Sequence, residues 1–392
     1  MTIDIATATP PETKRSYVLF SGGSFFGRVI KWVALTVVTL GIYRFWAMTG
    51  LRRSLWSATH VEGDHLRYHG TGKELFIGFL IALAILIPFY ALGFGLQFMG
   101  PIATLVGFAI MFVVGFLLTP YALFRRRRYL LTRTSWRGIR FHMQGSAWRY
   151  VGAWLFWTIL SVITLGIAFP WRQAKLDRML TEVSYFGNQQ FSYSATAKDY
   201  FQALLIVYVI FFFPAAILLL AAVFTQGKAL AFLPVAFLLS MVLWPVAFAA
   251  IFRLQVRSTK IGDTSFESNI SASKYYGAYI IHAVIVGVGV SIVGAIAGIA
   301  AFSMASSGLD QGLEGFESSM FSITFLPVFA LYYGVLLFAN MMVLQVMMFE
   351  WKMSSIVVFN AHSVKDAIAS GDLENAVGMG LADTLDAGFE VV

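Results

Sequence analysis

The chain has 392 residues, of which 58% are hydrophobic and only 12% are charged, and its mean hydropathy is +0.75. This composition excludes a water-soluble globular protein and indicates an integral membrane protein. The absence of cysteine excludes disulfides, thiolate nucleophiles and cysteine-ligated metal centres. The formal net charge of +8 comes from basic residues between apolar stretches, where it favours orientation in the membrane and contact with anionic lipids over nucleic-acid binding.

Residues 1–24 are predicted to form a polar N-terminus and a first strand. The region lacks the apolar core and small-residue cleavage site of a secretory signal, so we expect it to stay in the mature protein. Because it carries Lys14 and Arg15, we expect it on the cytoplasmic side.

Six uncharged apolar runs, each long enough to cross a bilayer as a helix, follow in three pairs. They are residues 75–98 and 102–124, 201–224 and 229–251, and 277–303 and 321–348. Each pair predicts a transmembrane helical hairpin. Two further apolar stretches, 29–49 and 150–171, stand alone, and both contain the tetrapeptide Thr-Leu-Gly-Ile.

An internal repeat becomes visible when the chain is shifted against itself by 125 positions. Residues 39–76 then pair with residues 164–201 without a gap, and twelve positions are identical. Weaker copies appear at shifts of 75 and 200, so that a polar unit starts near each of four arginines. These arginines are Arg53, Arg128, Arg178 and Arg253.

Each polar unit predicts a β-hairpin, because alternating stretches flank a turn that contains glycine. The predicted turns are Gly63-Asp64, Arg137-Gly138, Gly187-Asn188 and Gly262-Asp263. A single hairpin is marginally stable in water, so we expect the four to pair into one small sheet or open barrel on one side of the membrane. Their many basic residues predict the cytoplasmic side.

The two lone stretches leave two topologies open. Either each one enters and returns to the same face, with breaks at Gly41 and at Gly166 and Pro170, or each one crosses and the protein has eight spans. The positive-inside bias and Arg44 in the first stretch favour the re-entrant topology, which keeps all basic units in the cytoplasm.

The predicted fold class is therefore a mainly α-helical, polytopic membrane protein with six transmembrane helices, two broken or re-entrant segments and a small β layer. The first and second repeats cover residues 25–149 and 150–276, and the third helical hairpin covers residues 277–348. Residues 349–392 form an acidic tail that we expect in the cytoplasm, either docked on the basic hairpins or solvated.

Three segments have a distinctive sequence: residues 39–46, residues 63–76 and the string Thr-Ser-Trp-Arg-Gly-Ile-Arg-Phe at 134–141. In these segments, and in weaker form at residues 380–383, the chain resembles the YjgN-like family of bacterial inner-membrane proteins of unknown function. It covers nearly the whole chain and implies a location in the bacterial inner membrane. It implies no substrate, cofactor or catalytic residue.

Two kinds of candidate residue follow from these patterns. The first is a run of arginines after an apolar stretch, which predicts contact with anionic lipid headgroups: Arg125, Arg126, Arg127 and Arg128. The second is a set with structural roles in the repeat: Gly41, Trp46, Arg53, Gly63, Gly138, Gly166, Pro170, Trp171, Arg178 and Gly262. His60, His65 and His69 could ligate a metal, but they do not recur in the other units and we predict no metal site.

Three functions remain open at this stage. Interrupted helices and a duplicated unit favour a transporter or channel, and helices without charged side chains favour a neutral or amphipathic solute over an ion. The alternative is a scaffold that binds anionic lipids or a cytoplasmic partner and transports nothing. An enzyme is the weakest hypothesis, because no acid, base and nucleophile are placed together; we expect neither catalysis nor a cofactor.

Overall fold

The computed structural model describes residues 13–19, 22–308, 325–364 and 367–369 of the chain. Most of these residues are helical. The α-helices are α1 Gly22–Val38, α2 Arg44–Ala58, α3 Gly72–Leu96, α4 Pro101–Thr132, α5 Ala147–Ile163, α6 Phe169–Thr181, α7 Ala197–Val207, α8 Phe213–Phe224, α9 Leu233–Ser258, α10 Ala272–Gly308, α11 Phe325–Ala339 and α12 Met348–Ser354. Short 3₁₀ or π segments connect several of them.

The long apolar helices are those expected to cross the membrane. Five segments of the described residues are long and apolar enough: Gly72–Met99, Pro101–Thr132, Met241–Ser258, Ala272–Ile299 and Pro327–Ser354. A sixth candidate is Ala197–Ile210 with Phe213–Phe224, a pair bent by 44°. These segments carry most of the exposed large apolar side chains, which is the surface that lipid covers.

Both lone stretches are helix–turn–helix units and neither is one straight helix. The backbone reverses at Leu40-Gly41 and at Leu165-Gly166, where φ is positive at all four residues. Glycine adopts such angles without steric cost, and a left-handed residue ends the preceding helix.

The two arms of each unit pack against each other. Arg172 of α6 donates a hydrogen bond to Thr158 of α5 (2.9 Å), and a Cβ at Gly50 of α2 would lie 2.8 Å from the ring of Trp32 of α1. In each unit the two contacting residues lie at nearly equal distances along the chain from the turn glycine. Each stretch therefore folds back on itself at the glycine.

The four polar units are β-hairpins with two-residue turns. The strands are β1 Thr13–Arg15, β2 Tyr17–Val18, β3 Thr59–Val61, β4 Asp64–Tyr68, β5 Thr134–Trp136, β6 Ile139–Met143, β7 Ser184–Phe186, β8 Gln189–Tyr193, β9 Thr259–Ile261, β10 Thr264–Ser268 and β11 Ile356–Phe359. Hairpins are formed by β3 with β4, β5 with β6, β7 with β8 and β9 with β10.

The predicted turn of the first hairpin was wrong by one residue. Val61 pairs with Asp64, so the turn consists of Glu62 and Gly63, with φ of 54° and 88°. This geometry requires positive φ at both central positions, and glycine fits the second of them. Asp64 is consequently the first residue of β4.

One continuous sheet contains all eleven strands of the described residues, in the order β1-β11-β10-β9-β8-β7-β6-β5-β4-β3-β2. The two edge strands, β1 and β2, are separated in the chain only by Ser16. β1 pairs with β11 and β2 pairs with β3, so one N-terminal segment joins both edges. This segment therefore joins the two ends of the sheet, and the sheet is arranged as a ring.

The interior of the ring is apolar. Each hairpin contributes one residue just before its turn and one on its second strand, and these eight side chains form a single cluster: Val61, Trp136, Phe186, Ile261, Leu66, Phe141, Phe191 and Phe266. Val364 and Ala367, from the segment after β11, complete the cluster. The described part of the predicted tail thus packs on the ring, whereas residues 370–392 lie outside the described residues.

Candidate functional site

Three of the four repeat arginines join their hairpin unit to the chain that follows it. The guanidinium groups of Arg53, Arg178 and Arg253 donate to the carbonyl oxygens of the residues 17 positions later, at 3.2, 3.1 and 3.1 Å. The acceptors are Gly70, Ala195 and Ile270. These arginines hold the exit of the hairpin next to the helix that enters it.

The junctions between helix and strand are also equivalent. In all four units, a hydroxyl at the first strand residue donates to the carbonyl four residues earlier, at 2.7–2.8 Å. The donors are Thr59, Thr134, Ser184 and Thr259. The remaining structural candidates lie in turns, at helix starts or among aromatic rings. Gly138 and Gly262 lie in hairpin turns, Pro170 lies in the first turn of α6, Trp46 contacts Tyr43 and Phe76, and Trp171 is 47% exposed.

The four consecutive arginines do not share one surface. Arg126 is only 8% exposed, Arg125 and Arg128 are half-buried, and Arg127 is exposed and lines an open cavity. The reason is the helical period, because successive side chains at the end of α4 point in directions about 100° apart. Contact with lipid headgroups stays a prediction for this run.

In three of the four units, the residue before the repeat arginine lines the same cavity. The residue before each repeat arginine is Arg52, Arg127, Asp177 or Phe252. The last three line one cavity of about 240 Å³, and Arg52 is 2% exposed. One structural position therefore carries a cation in two units, an anion in the third and an aromatic ring in the fourth.

The cavity lies where the ends of α4, α6 and α9 meet β8 to β11. Its polar lining consists of Arg127, Asp177, Thr181, Tyr193, Gln255 and Thr259, and its apolar lining of Phe252, Val256, Phe266 and Ile356. Phe266 also belongs to the apolar cluster of the ring, so the cavity adjoins that cluster. A pocket that is partly apolar and has a few converging polar groups is the usual form of a small-molecule site.

Asp177 is surrounded by hydrogen-bond donors. Its carboxylate accepts from Tyr200, from Gln255 at 2.8 Å and from Gln173 at 3.1 and 3.2 Å. The hydroxyl of Tyr200 is also bonded to that of Tyr193. The network links α6, α7, α9 and β8, and it fixes the position of the negative charge at the cavity wall.

Arg127 differs from Asp177 because its guanidinium makes no hydrogen bond, and no ion pair within 4 Å, in the described part of the chain. Arg127 is an exposed side chain, and it lines the cavity. The Asp177 carboxylate, on the same cavity, attracts its positive charge. The cavity thus contains a cationic donor with unused hydrogen-bonding capacity.

Three titratable groups of the ring have shifted pKa values. Burial lowers the pKa of His69, and four arginines add to the effect; burial alone lowers that of His142. Burial also raises the pKa of the Tyr193 hydroxyl, and the Asp177 carboxylate raises it further. The low dielectric of the ring therefore favours the neutral form of each group.

Among the described residues, no group of three or more histidine, aspartate or glutamate side chains is arranged to hold a metal ion. His60 and His65 form a cross-strand pair, and His69 instead contacts Ser135 at 2.8 Å. The polar cavity offers hydrogen bonds and charge to a small molecule.

Sequence reasoning missed Asp177, Gln255 and the separate position of Arg127. The signal was present in the repeat: at the position where the first two units have arginine, the third has aspartate. A charge reversal at an equivalent position within a basic segment indicates a local role that differs from general membrane orientation.

The apolar helices and their exposed surface define an integral, multi-pass membrane protein, here with a closed β ring attached to its helices. The chain belongs to a family of bacterial proteins of unknown function, DUF898, whose model matches residues 19–232 and 223–373. This confirms the YjgN-like resemblance predicted from the sequence motifs.

A curated relative, the inner membrane protein YjgN of Salmonella typhimurium strain LT2, is 30% identical over 162 residues. The matched region covers 37% of this chain and 38% of the relative. No solved structure matches the chain.

Proposed function

We propose that the protein is a transporter or channel for a small neutral or amphipathic solute, and that the solute binds in the cavity between the helices and the β ring. The observation that carries the proposal is the mixed lining of this cavity, with Arg127 and Asp177 on one side and Phe252 and Phe266 on the other. Such a lining suits a molecule with a polar and an apolar part.

The two helix–turn–helix units support the proposal. Units that fold back at Gly41 and Gly166 suit re-entrant segments, since turns at membrane depth are tolerated where protein or a cavity covers them. The hydroxyl of Tyr208 donates to the carbonyl of Gly166 at 2.9 Å, so a neighbouring helical segment supplies a hydrogen-bond partner for the backbone of the second turn. Broken helices near a repeat axis are typical of transporter binding sites.

The orientation in this proposal follows from charge. The ring, the helix ends next to it and both ends of the chain lie on the cytoplasmic side of the bacterial inner membrane, because these segments carry most of the basic residues. Pro101, at the start of α4, then lies on the opposite side of the membrane, so that α3 and α4 form a hairpin that crosses the membrane twice.

A flux assay on proteoliposomes tests the function. We expect the purified protein to release one member of a panel of neutral and amphipathic solutes, and Val256→Trp, which fills the cavity, to reduce that flux at least about tenfold. The matched control is Val235→Trp on the lipid-exposed part of the same helix, which should leave the flux unchanged. Equal flux in Val256→Trp and wild type would exclude this cavity as the route.

The second candidate function is a membrane scaffold that binds anionic lipids. It is supported by the half-buried Arg125, which lies one helical turn after Tyr121 on α4. The ring of Tyr121 in turn packs on that of Trp148, with the ring centroids 5.3 Å apart. Anionic phospholipid that stays bound to purified protein, decreases in Arg125→Gln and is removed by salt, without flux of any solute, would favour the scaffold.

We propose transport or scaffolding over catalysis. The ionisable groups that line the cavity are Arg127, Asp177 and Tyr193, and the described lining includes no histidine, serine or lysine. The carboxylate of Asp177 already accepts hydrogen bonds from Gln255 and Gln173, so its oxygens are occupied by protein donors.

A further inference from the structure

The two charged groups of the cavity differ in how much of their hydrogen-bonding capacity is used. The carboxylate of Asp177 is occupied by donors from Tyr200, Gln255 and Gln173. The guanidinium of Arg127 carries five N–H donors, and none of them is used within the described residues. The guanidinium is exposed towards the cavity, so its donors are available to a ligand that brings acceptor oxygens.

We propose that Arg127 binds the oxyanion group of a small amphipathic molecule, a phosphate or a carboxylate, inside this cavity. The planar fork of arginine matches both groups, since two N–H donors can bind two oxygens at once. Asp177 limits the negative charge that the ligand can carry, because its carboxylate repels a second negative charge on the ligand.

The apolar half of the lining suits the apolar part of the ligand. Phe252, Phe266 and Ile356 lie on the wall of the same cavity, and the cavity volume of about 240 Å³ accommodates a headgroup with a few carbon atoms. Two sources share this chemistry, a free phosphate or carboxylate and the headgroup of a membrane lipid. The inference deepens the proposed function, on which it rests for the class of solute.

Calorimetric titration of the full-length protein in a neutral detergent tests the site. The probes are inorganic phosphate, octanoate and dihexanoyl phosphatidic acid. We expect the wild type to bind at least one of them, and Arg127→Gln to weaken that binding about 10- to 100-fold, as expected for the loss of charge-assisted hydrogen bonds. Tighter binding of phosphatidic acid than of the other two identifies a lipid headgroup, and the reverse identifies a free solute.

Two further variants make the result specific. Lys175→Gln removes one positive charge from the exposed face of α6, two residues from Asp177 and outside the cavity lining, and should change the affinity less than twofold. Asp177→Asn removes the neighbouring negative charge while keeping an acceptor oxygen, and should strengthen binding about 3- to 30-fold. A change in opposite directions for Arg127→Gln and Asp177→Asn cannot come from general destabilisation. If Arg127→Gln does not fold, as judged by gel filtration, the Asp177→Asn result alone decides.

The proposal is overturned if no probe binds, if Arg127→Gln binds as the wild type does, or if Lys175→Gln loses as much affinity as Arg127→Gln. Binding is measured without any flux, so the binding site and the transport function can fail separately. Oxyanion binding through Arg127 in a protein that moves no solute would uphold this site and reject the transporter.

Discussion

Asn188 and Ile368 exchange two hydrogen bonds, each 3.0 Å long: the Asn188 backbone N–H donates to the Ile368 carbonyl, and the Ile368 N–H donates to the Asn188 side-chain oxygen. The pair joins the turn of the third hairpin to the segment that follows the last strand. Val364 and Ala367 of that segment contribute to the apolar cluster of the ring. The contact between this turn and the C-terminal segment therefore helps to cover the ring interior.

Gly187→Ala should release the C-terminal segment from the ring. A Cβ at Gly187 would lie 2.4 Å from the carbonyl oxygen of Ile368, and φ is +54°, so both strain and overlap oppose alanine. We expect faster limited proteolysis after residue 360 and a loss of more than about 2 kcal/mol in stability. Gly138→Ala is the matched control: its Cβ meets no atom within 4 Å, so only the backbone strain of about 1–2 kcal/mol applies. Equal protease sensitivity in the two variants would contradict the contact.

Arg178→Gln should destabilise the second repeat. The variant removes the charged hydrogen bond to the Ala195 carbonyl, which is worth about 1.5–3 kcal/mol. Glu182→Gln is the control, because it removes only the exposed 3.9 Å ion pair with Arg178 and should cost less than about 0.5 kcal/mol. Thermal unfolding in detergent measures both. A larger effect for Glu182→Gln would assign the role of Arg178 to its ion pair.

Glu74→Gln should cost more stability than Asp199→Asn, although both acids cap the first turn of a membrane helix at equivalent positions of the repeat. Each forms a capping box, with Thr71 and Thr196 respectively. Glu74 also binds Arg133 at 3.1 and 3.3 Å and accepts from Tyr129 at 3.0 Å. Loss of the pair with the 6%-exposed Arg133 adds about 2–3 kcal/mol to the loss of about 1 kcal/mol expected for a cap. Unfolding midpoints that shift equally in the two variants would show that the ion pair adds nothing.

Acidification should destabilise the ring through His69. Its pKa lies below the ordinary value of 6.5, because of burial first and then of four cationic neighbours, which are Arg140, Arg67, Arg133 and Arg53. Below about pH 6.5 the unfolded chain therefore binds more protons than the folded one, so stability falls as the pH decreases towards the folded pKa and is fully present above 6.5.

We expect the unfolding midpoint to decrease between pH 7 and pH 5, and to decrease less in His69→Gln. The pKa of His142 is also lowered by burial, and we expect His142 to cause the pH dependence that remains in His69→Gln. His65→Gln, at an exposed position of β4, is the control and should behave as the wild type does. A pH profile unchanged by His69→Gln would remove His69 as the cause.

Cysteine labelling should place the four hairpin turns in the cytoplasm. The chain has no native cysteine, so single cysteines report on one site each: position 64 directly follows the first turn, and positions 138, 188 and 263 lie in the other three. In intact cells we expect no reaction with a membrane-impermeant maleimide at any of them, and reaction at positions 64, 138 and 263 in inverted vesicles. Position 188 should react more slowly because it contacts Ile368. Labelling of one turn from the periplasm would refute the common sidedness.

The sequence by itself determined the features that depend on local composition. Long uncharged runs specify apolar helices, because a helix satisfies its own backbone in lipid and needs only length and apolar side chains. Thr-Leu-Gly at 39–41 and 164–166 specifies a helix stop, because the glycine adopts a positive φ freely. The positions of the hairpin turns were also predictable, except that the first turn consists of Glu62 and Gly63 and not of Gly63 and Asp64.

Only the tertiary structure decided the closure of the ring and the composition of the cavity. Ser16 donates to the carbonyl of Ile356, 340 residues away, and no local pattern encodes a pairing at such a distance. The convergence of Arg127, Asp177 and Phe252 likewise depends on the direction in which three helix ends meet the ring. Helical period gives each side chain a direction relative to its own axis, but the packing of the helices around the strands decides which directions meet.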